Sequence, residues 1–377
     1  MKLLVVVVVI LVSCQLSGAQ ELPANKKSSP QTIALYNNLK KLSAEGFLFG
    51  HQDDLAYGVN WRNEKGRSDV KEVCGDYPGI YGWDIAGLEH NDDKDINGIP
   101  FKSIRKYIRE GYERGGVITL SWHAASPLDA PKHAWDTTYG TVRSILPGGQ
   151  NHKKYKEWLD AVAVFIQSLK DKNGEGIPVL FRPFHELTGH WFWWCNNTCS
   201  PEEFITLWRF TVDYLNNQKN VNNILWVFNT SSNITTKEFF LERYPGDDVV
   251  DMVSLDGYQS DEYQPEKEFI KNMKLALGIM QEVAKEKNKL SALAETGYEA
   301  IPDADWWTNV LMNVIGNNQL SFVLVWRNHG YQQENKKMHY YAPYKGQLSA
   351  EDFKKFYSDK RTIFEKDAAL KKLYQIN

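Results

Sequence analysis

Residues 179–186 read VLFRPFHE, a short apolar run followed at once by an arginine, a histidine and a glutamate. A run of this length, bounded by polar and turn-forming residues, is typical of a buried strand in a parallel sheet. Ionisable side chains directly after such a strand are typical of the edge at which α/β proteins build their active sites. This octapeptide therefore predicts both an architecture and a site, and the rest of the chain repeats its pattern.

Apolar runs of strand length alternate with segments of helical periodicity along the whole chain. The eight runs are Phe47–Gly50, Ile80–Trp83, Val117–Trp122, Val179–Phe181, Ile224–Phe228, Met252–Leu255, Leu290–Ala294 and Phe322–Trp326. The helical segments are Ile104–Arg114, Tyr155–Lys170, Pro201–Leu215, Lys267–Lys285 and Trp306–Ile315. Pro201 after Ser200 is typical of a helix start. The sequence Ser-Ala-Glu-Asp at 349–352 predicts a variant capping box for a last helix.

Two architectures give this alternation, a closed (β/α)8 barrel and an open doubly wound sheet. The positions of the polar residues favour the barrel, because they follow one apolar run after another and would converge on its carboxyl-terminal mouth. These residues are His51, Gln52, Asp84, His123, His185, Glu186, Asn229, Asp256, Tyr258, Glu295, Arg327 and Asn328. We therefore predict an α/β protein with a single (β/α)8 TIM-barrel domain over residues 20–377.

Composition narrows the function classes. Lys plus Arg is 44 and Asp plus Glu is 47, so the net charge of −3 argues against a protein that binds nucleic acid by neutralising phosphates. The chain is rich in aromatic residues, with 13 Trp, 19 Tyr and 17 Phe. Besides filling a large core, flat rings of this number suit a cleft that binds carbohydrate.

The first 19 residues resemble an export signal, because Lys2 precedes the apolar run Leu3–Val12. Two processing sites compete: a small-residue site ending at Ala19, and a lipobox-like Leu11–Cys14 in which Cys14 would be lipidated. We expect an exported, periplasmic protein that is either soluble or anchored as a lipoprotein. After processing, Cys74, Cys195 and Cys199 remain, and the last two are close enough in sequence for a local disulfide.

Glu186 and Glu295 follow the fourth and seventh runs, and in a barrel they face each other across the mouth. A retaining glycosidase needs two carboxyl groups about 5–5.5 Å apart, one as nucleophile and one as acid/base. The alternative is that each glutamate forms a salt bridge at the rim. Residues 185–190 read HELTGH, one residue longer between the histidines than the zinc-protease motif, so we predict neither a metal nor another cofactor.

Four consecutive rings, residues 191–194 (WFWW), begin five residues after Glu186. They cannot all point into one core, so at least one is expected to be exposed near the mouth and to stack on a sugar. Trp191 is the expected one.

With these residues in place, the chain resembles glycoside hydrolase family 26, chiefly the endo-β-1,4-mannanases, over about residues 30–370. The similar segments, in chain order at the ends of the predicted strands, are Gly50-His51-Gln52, Trp122-His123, Arg182–Glu186 with Trp191, Asp256-Gly257-Tyr258, Glu295-Thr296-Gly297 and Trp326-Arg327-Asn328. The resemblance implies a retaining mechanism in which Glu186 is the general acid/base and Glu295 is the nucleophile.

The resemblance also implies substrate-binding roles. His123 would hold the sugar at the cleaved bond, Tyr258 would hydrogen-bond the nucleophile, and Trp326 would form a platform beneath that sugar. His185 would tune the acid/base, and Arg182 would supply positive charge near the carboxylates. Further contacts are expected from Trp191, Trp135 and Asn328.

The implied substrate is β-mannan, as polysaccharide or oligosaccharide, bound by a monomer. The family also contains enzymes that act on mixed-linkage β-glucan and β-1,3-xylan, and these stay open as alternatives. A non-catalytic glycan-binding protein is disfavoured because both glutamates are present. Two long polar segments, Glu89–Pro100 and His329–Leu348, follow the second and eighth runs. If they meet above the mouth, they would narrow one end of the cleft and favour short products, chiefly mannobiose.

Overall fold

The structure is a computed structural model, and it describes residues 20–128 and 133–376. The predicted signal sequence, including Cys14 and both processing sites, lies outside the described residues. Among those described, no helix combines the length and the apolar character that a membrane span requires.

Eight parallel strands close into a barrel, as the sequence predicts. They are β1 (Phe47–Gln52), β2 (Ile80–Asp84), β3 (Val117–Ser121), β4 (Val179–Arg182), β5 (Ile224–Ser231), β6 (Met252–Gln259), β7 (Leu290–Tyr298) and β8 (Phe322–Val325). Each strand pairs with the next in sequence, and β8 pairs back onto β1 with Leu48 opposite Phe322. A short strand, Thr362–Ile363, adds to β1 from outside the ring.

Helices surround the ring, and each of the five predicted segments is helical. The α-helices are Pro30–Leu42, Asp69–Cys74, Phe101–Glu113, Thr141–Ile145, His152–Gln167, Pro201–Asp213, Lys237–Leu241, Glu266–Glu286, Met312–Ile315, Ala350–Ser358 and Glu365–Lys371. The predicted helix at Trp306–Ile315 begins with a π-helical segment, Trp306–Leu311. A second π-helical segment, Tyr214–Gln218, ends the helix that starts at Pro201.

The two predicted capping features have different outcomes. Ser200 accepts a hydrogen bond from the backbone of Glu203, whose side chain bonds back to Ser200, so Pro201 follows a complete capping box. The capping box predicted at 349–352 is wrong. The Ser349 hydroxyl accepts from the indole of Trp307 instead of capping, and Asp352 accepts from Thr308, so both tie the helix to its neighbour.

The barrel interior is a packed core rather than a channel. Leu48, Ile80, Val117, Leu180 and Leu225 fill it from successive strands and are almost completely buried. The helix Pro30–Leu42 closes its amino-terminal end with apolar side chains, so the carboxyl-terminal end is the one left for a cleft.

Cys74, Cys195 and Cys199 are free thiols in the structure, so the disulfide considered for the last two is not present. Burial raises the pKa of the Cys195 thiol to about 12, which keeps it in the unreactive thiol form.

Candidate active site

The carboxyl ends of β4, β6 and β7 bring three carboxylates together at the mouth. Glu186, Asp256 and Glu295 each place one carboxylate oxygen within 4.8 Å of the others. Asp256 and Glu295 are buried, whereas Glu186 is half-buried at the floor of the cleft. The two glutamates that the sequence singles out therefore face each other at short range.

A bulge in β7 turns Glu295 into the cleft. Asp256 of β6 pairs with Glu295, although Leu255 pairs with Leu293, so Ala294 is an extra residue. The register between β7 and β8 also shifts by one residue at this place. Ala292 and Ala294 face the interior, and strict alternation would send the next side chain outward toward the helices. The bulge restores Glu295 to the inner face, as bulges beside active sites often do.

Two donors hold the Glu295 carboxylate from opposite sides. The hydroxyl of Tyr258 donates to Oε2 at 2.7 Å, and the Arg182 guanidinium donates to Oε1. Arg182 also donates to Asp256 at 2.6 Å, and Asp256 accepts a second bond from Asn229 at 2.8 Å. These charge-assisted bonds fix the rotamer of Glu295, so that its carboxyl group is held in place for nucleophilic attack.

Glu186 has a left-handed backbone, with φ of 54°. This conformation costs a non-glycine residue about 1–2 kcal/mol, so its surroundings must stabilise it. The side-chain oxygen of Asn229 accepts from the Glu186 backbone N–H at 2.7 Å, and the Gly189 N–H donates to the Glu186 carbonyl at 2.8 Å. The strained turn lifts the carboxyl group away from the strand and toward Glu295.

The surroundings of Glu186 favour its protonated form. Burial and the negative charge of Glu295 raise the pKa of Glu186 to about 7, against the opposing hydrogen bond from Trp191 and the positive charge of Arg182. A carboxylic acid that can be protonated near neutral pH, beside a second carboxyl group bonded to an arginine, is the arrangement that a glycosidase pair requires.

His123 and His185 form a second polar layer beside the carboxylates. Their Nε2 atoms are 3.0 Å apart, and Nδ1 of His123 lies 2.7 Å from Oδ2 of Asp84. Both ring nitrogens of His123 are therefore engaged. His123 can therefore donate a hydrogen bond to a sugar only if its contact with His185 is broken.

Aromatic rings line the cleft around this layer. Trp135 is 48% exposed and stacks on His123 with ring centroids 5.6 Å apart. Trp326 lies on another side of His123, at 6.1 Å. Trp191 is 39% exposed, whereas the other three rings of residues 191–194 are buried, so the segment has one exposed ring. The indole of Trp191 also donates to Oε2 of Glu186 at 2.6 Å.

The structure gives Asn328 a different place from the one expected. Its side chain is fully buried and donates to Asp69 and to the Ala342 carbonyl, while its oxygen accepts from the Tyr341 and Ala342 backbones. With its amide fully occupied, Asn328 holds the loop after β8 and does not face the cleft.

The two long loops approach a common group of side chains. Asn97, in the loop after β2, donates to Asp53 at 3.0 Å, and Tyr57 donates to the same carboxylate at 2.5 Å. Arg327 reaches the Tyr57 hydroxyl at 3.4 Å from the start of the loop after β8. Asp53 and Tyr57 in the loop after β1 therefore connect Asn97, within Glu89–Pro100, to Arg327, which lies two residues before His329–Leu348.

The three carboxylates are also a geometry in which a metal ion could be held. The guanidinium of Arg182 already bonds to Asp256 and Glu295, however, and places a fixed positive charge between them. A divalent cation would be repelled by this charge and would compete for the same oxygens. The donor set therefore fits an arginine-bridged acid pair better than a metal centre.

Three contributors to the site were not among the predicted site residues: Asp256, Asn229 and Asp84. In the sequence, each of them is a polar residue that follows an apolar run. The signal that separates them from rim residues is their burial beneath the glutamates, which a sequence does not show.

A (β/α)8 barrel with two glutamates facing each other at its carboxyl-terminal mouth has the architecture of a glycoside hydrolase. The sequence profile of glycosyl hydrolase family 26 matches residues 24–345, and the chain belongs to this family.

Related proteins carry more specific names. A mannan endo-1,4-beta-mannosidase from Bifidobacterium adolescentis is 30% identical over 361 residues, which is 90% of this chain but only 35% of that protein. A solved GH26 beta-mannanase from Bacteroides ovatus is 46% identical, with a TM-score of 0.87 over 93% of this chain and 98% of that chain. Endoglucanase H from Acetivibrio thermocellus is 28% identical over 163 residues, 42% of this chain and 15% of that protein.

Proposed function

We propose that the protein is an endo-acting β-mannanase that cleaves β-1,4-mannosidic bonds with retention of configuration. The observation that carries the proposal is the approach of Glu186 and Glu295 to within 4.8 Å, because an inverting pair would stand about 6.5–9.5 Å apart to admit a water molecule. Glu186 is the acid/base and Glu295 is the nucleophile.

In the first step, the Glu295 carboxylate attacks the anomeric carbon while the Glu186 carboxylic acid protonates the departing glycosidic oxygen. A covalent glycosyl-enzyme and a shortened chain result. Arg182 and Tyr258 orient the nucleophile, and they stabilise the carboxylate when it leaves again in the second step.

In the second step, the Glu186 carboxylate takes a proton from water, and the resulting hydroxide attacks the same carbon. Glu295 is released, and the sugar regains its β configuration. A pKa near 7 suits Glu186 to both jobs, since it must donate a proton first and accept one later.

Mannan is the substrate favoured by the relatives, because both the Bifidobacterium and the Bacteroides proteins are named as mannanases. Galactomannan, glucomannan and their oligosaccharides belong to the same proposal. The relation to an endoglucanase favours mixed-linkage β-glucan as the second candidate, and β-1,3-xylan is the third. A protein that only binds glycan is disfavoured, because both carboxylates are in place with their supporting bonds.

The deciding experiment is reducing-sugar release from galactomannan, mixed-linkage β-glucan and β-1,3-xylan, with E295A as the control for background hydrolysis. We expect release from galactomannan to exceed the others by at least about tenfold. Greater release from β-glucan or from xylan would identify that polysaccharide as the substrate without changing the proposed mechanism. Release from none of the three would reject the enzymatic function.

Three further features belong to this proposal. The linked loops after β2 and β8 favour short products, chiefly mannobiose. The signal-like segment, residues 1–19, favours export to the periplasm, with lipidation at Cys14 as the route to a membrane anchor. The protein is proposed to act as a monomer.

A further inference from the structure

We propose that Asp84 is a positioning residue for His123. Asp84 fixes a hydrogen on Nδ1 of His123 and keeps Nε2 of that ring as the nitrogen that faces the substrate. The proposal rests on the proposed glycosidase function and extends it to a residue that does not touch the sugar. It accounts for a buried carboxylate that the two-glutamate mechanism does not use.

Asp84 ends β2 and is fully buried. Its Oδ2 lies 2.7 Å from Nδ1 of His123 and accepts from the Ser121 hydroxyl, also at 2.7 Å. Its Oδ1 accepts from the Ala86 backbone N–H at 2.8 Å. These bonds leave the carboxylate a single orientation, directed at the imidazole.

The chemistry of this contact decides the state of the imidazole. A carboxylate only accepts hydrogen bonds, so Nδ1 of His123 must carry a hydrogen. The burial of His123 lowers its pKa, but the Asp84 carboxylate, together with the negative charges of Glu295 and Glu186, raises the pKa overall. Burial and the neighbouring His123 hold the pKa of His185 well below its usual range.

The two imidazoles share one hydrogen across their 3.0 Å contact, and these preferences locate it on His123. His123 then carries a hydrogen on both ring nitrogens and donates through Nε2, and neutral His185 is the acceptor. When a sugar enters, its hydroxyl exchanges with His185 at the same Nε2, while Asp84 keeps the ring plane fixed. Without Asp84 the ring would be free to turn or to lose the hydrogen on Nδ1.

The ring plane matters because His123 also supports the aromatic wall. Trp135 stacks on it at an angle of 20°, and the Trp326 ring lies within 6.1 Å. A turned imidazole would disturb both the hydrogen bond to the sugar and the packing of these rings. Asp84 is therefore expected to affect turnover more than folding.

The test is Asp84→Asn, which keeps the shape of the side chain. The Ala86 N–H needs an acceptor, so the amide oxygen stays there and the amide NH₂ faces His123. The NH₂ donates to Nδ1 and forces the hydrogen onto Nε2. Long-range ¹H–¹⁵N NMR of the histidine side chains shows which ring nitrogens carry a hydrogen, with His123→Gln identifying the signals by difference. We expect hydrogens on both Nδ1 and Nε2 of His123 in the wild type, and a neutral ring with a hydrogen on Nε2 alone in D84N. We also expect a fall in kcat of about 10- to 100-fold with a smaller change in KM.

Asp251→Asn is the matched control. Asp251 is equally buried and accepts two backbone N–H bonds, from Ala24 and Trp226, but it lies at the opposite end of the barrel. It is expected to lower thermal stability while leaving the His123 signals unchanged. The proposal is overturned if D84N keeps the Nδ1–H form with wild-type kcat, or if its loss of activity matches that of D251N at equal folded fraction. A wild type inactive on every polysaccharide would reject the proposed function, yet the NMR comparison would still decide the role of Asp84.

Discussion

The indole nitrogen of Trp191 donates a hydrogen bond to Oε2 of Glu186 at 2.6 Å. The sequence predicts an exposed ring that stacks on sugar, and the ring is exposed, but its polar edge is directed at the acid/base. Trp191 thus forms part of the cleft wall and also affects the protonation of Glu186. Because the bond favours the carboxylate, it lowers the pKa of Glu186 against the upward effects of burial and Glu295.

Trp191→Phe should therefore raise the pKa of Glu186. The first chemical step needs the protonated acid, so activity is lost as pH rises through this pKa, and the basic limb of kcat/KM should move to higher pH in the variant. The measurement is kcat/KM against pH on an oligosaccharide substrate. Trp135→Phe is the control, since Trp135 is also exposed but does not bond to Glu186. A basic limb that moves downward, or moves equally in both variants, would contradict the role given to the bond.

Glu295→Ala and Glu186→Ala should each reduce kcat about 10³-fold or more on polysaccharide while the barrel stays folded. They should differ on an aryl glycoside whose leaving group needs no protonation. Glu186→Ala should still accumulate a glycosyl-enzyme there, detectable by mass spectrometry, because the nucleophile is intact. Glu295→Ala should not. Equal behaviour of the two variants on the aryl glycoside would reverse or remove the assignment of roles.

The first product formed should be the β-anomer. The short carboxylate separation leaves no room for a water molecule between Glu295 and the sugar, so two displacements are required. Proton NMR during the first minutes of hydrolysis distinguishes the anomers before mutarotation mixes them. An α-anomer at the earliest time point would show a single displacement and exclude Glu295 as the nucleophile.

Activity should be unchanged after exhaustive treatment with a chelator. Arg182 supplies the positive charge that Asp256 and Glu295 share, so the acid cluster does not depend on a cation. The measurement is kcat/KM before and after chelation, followed by separate additions of magnesium, calcium, manganese and zinc. Loss of activity in chelator and its return with one of these ions would show that the cluster holds a metal.

The barrel and the glutamate pair could be predicted from sequence because both depend on a local pattern, an apolar run followed by polar residues. The register of a strand, which decides the face on which each side chain lies, could not be predicted from this local pattern. Glu295 faces the cleft only because Ala294 is an extra residue, and nothing in the apolar run Leu290–Ala294 signals a bulge. The left-handed backbone of Glu186 is equally hidden, since it depends on Asn229, 43 residues away in sequence.

Asn328 is a residue for which the sequence predicts a place in the cleft and the structure shows another place. It belongs to the segment Trp326–Asn328, for which the family resemblance implies contacts with substrate, but its amide oxygen accepts from the backbone of the following loop. Asp84 was visible only as one more polar residue after a run. Whether such a residue faces substrate, holds a loop or orients another side chain depends on its long-range partners, and the pattern of one strand carries no information about them.

Product size should depend on the hairpin after β8. Its strands, Gly330–Gln332 and Lys337–His339, connect to the nucleophile through two rings, because His339 packs on Tyr341 and Tyr341 packs on Tyr258. If the hairpin limits the cleft, the intact enzyme should release chiefly mannobiose from mannohexaose at early times. Since Gly330 pairs with His339, a two-residue Asn-Gly turn in place of residues 331–338 should connect them without disturbing the barrel.

The shortened protein should open this end of the cleft and give a broader ladder of products, with kcat on polymer unchanged or higher. Deleting the loop after β2 instead would be uninformative, because Glu89 within it is buried and accepts from Trp122 and Ala125. The matched control shortens residues 171–175, an exposed turn at the amino-terminal end of the barrel, where Lys170 pairs with Gly176. The measurement is the size distribution of the early products, separated by chromatography. A broad ladder from the intact enzyme that the hairpin deletion leaves unaltered would mean that the groove is open along its length, and that the bonds linking the two loops serve stability alone.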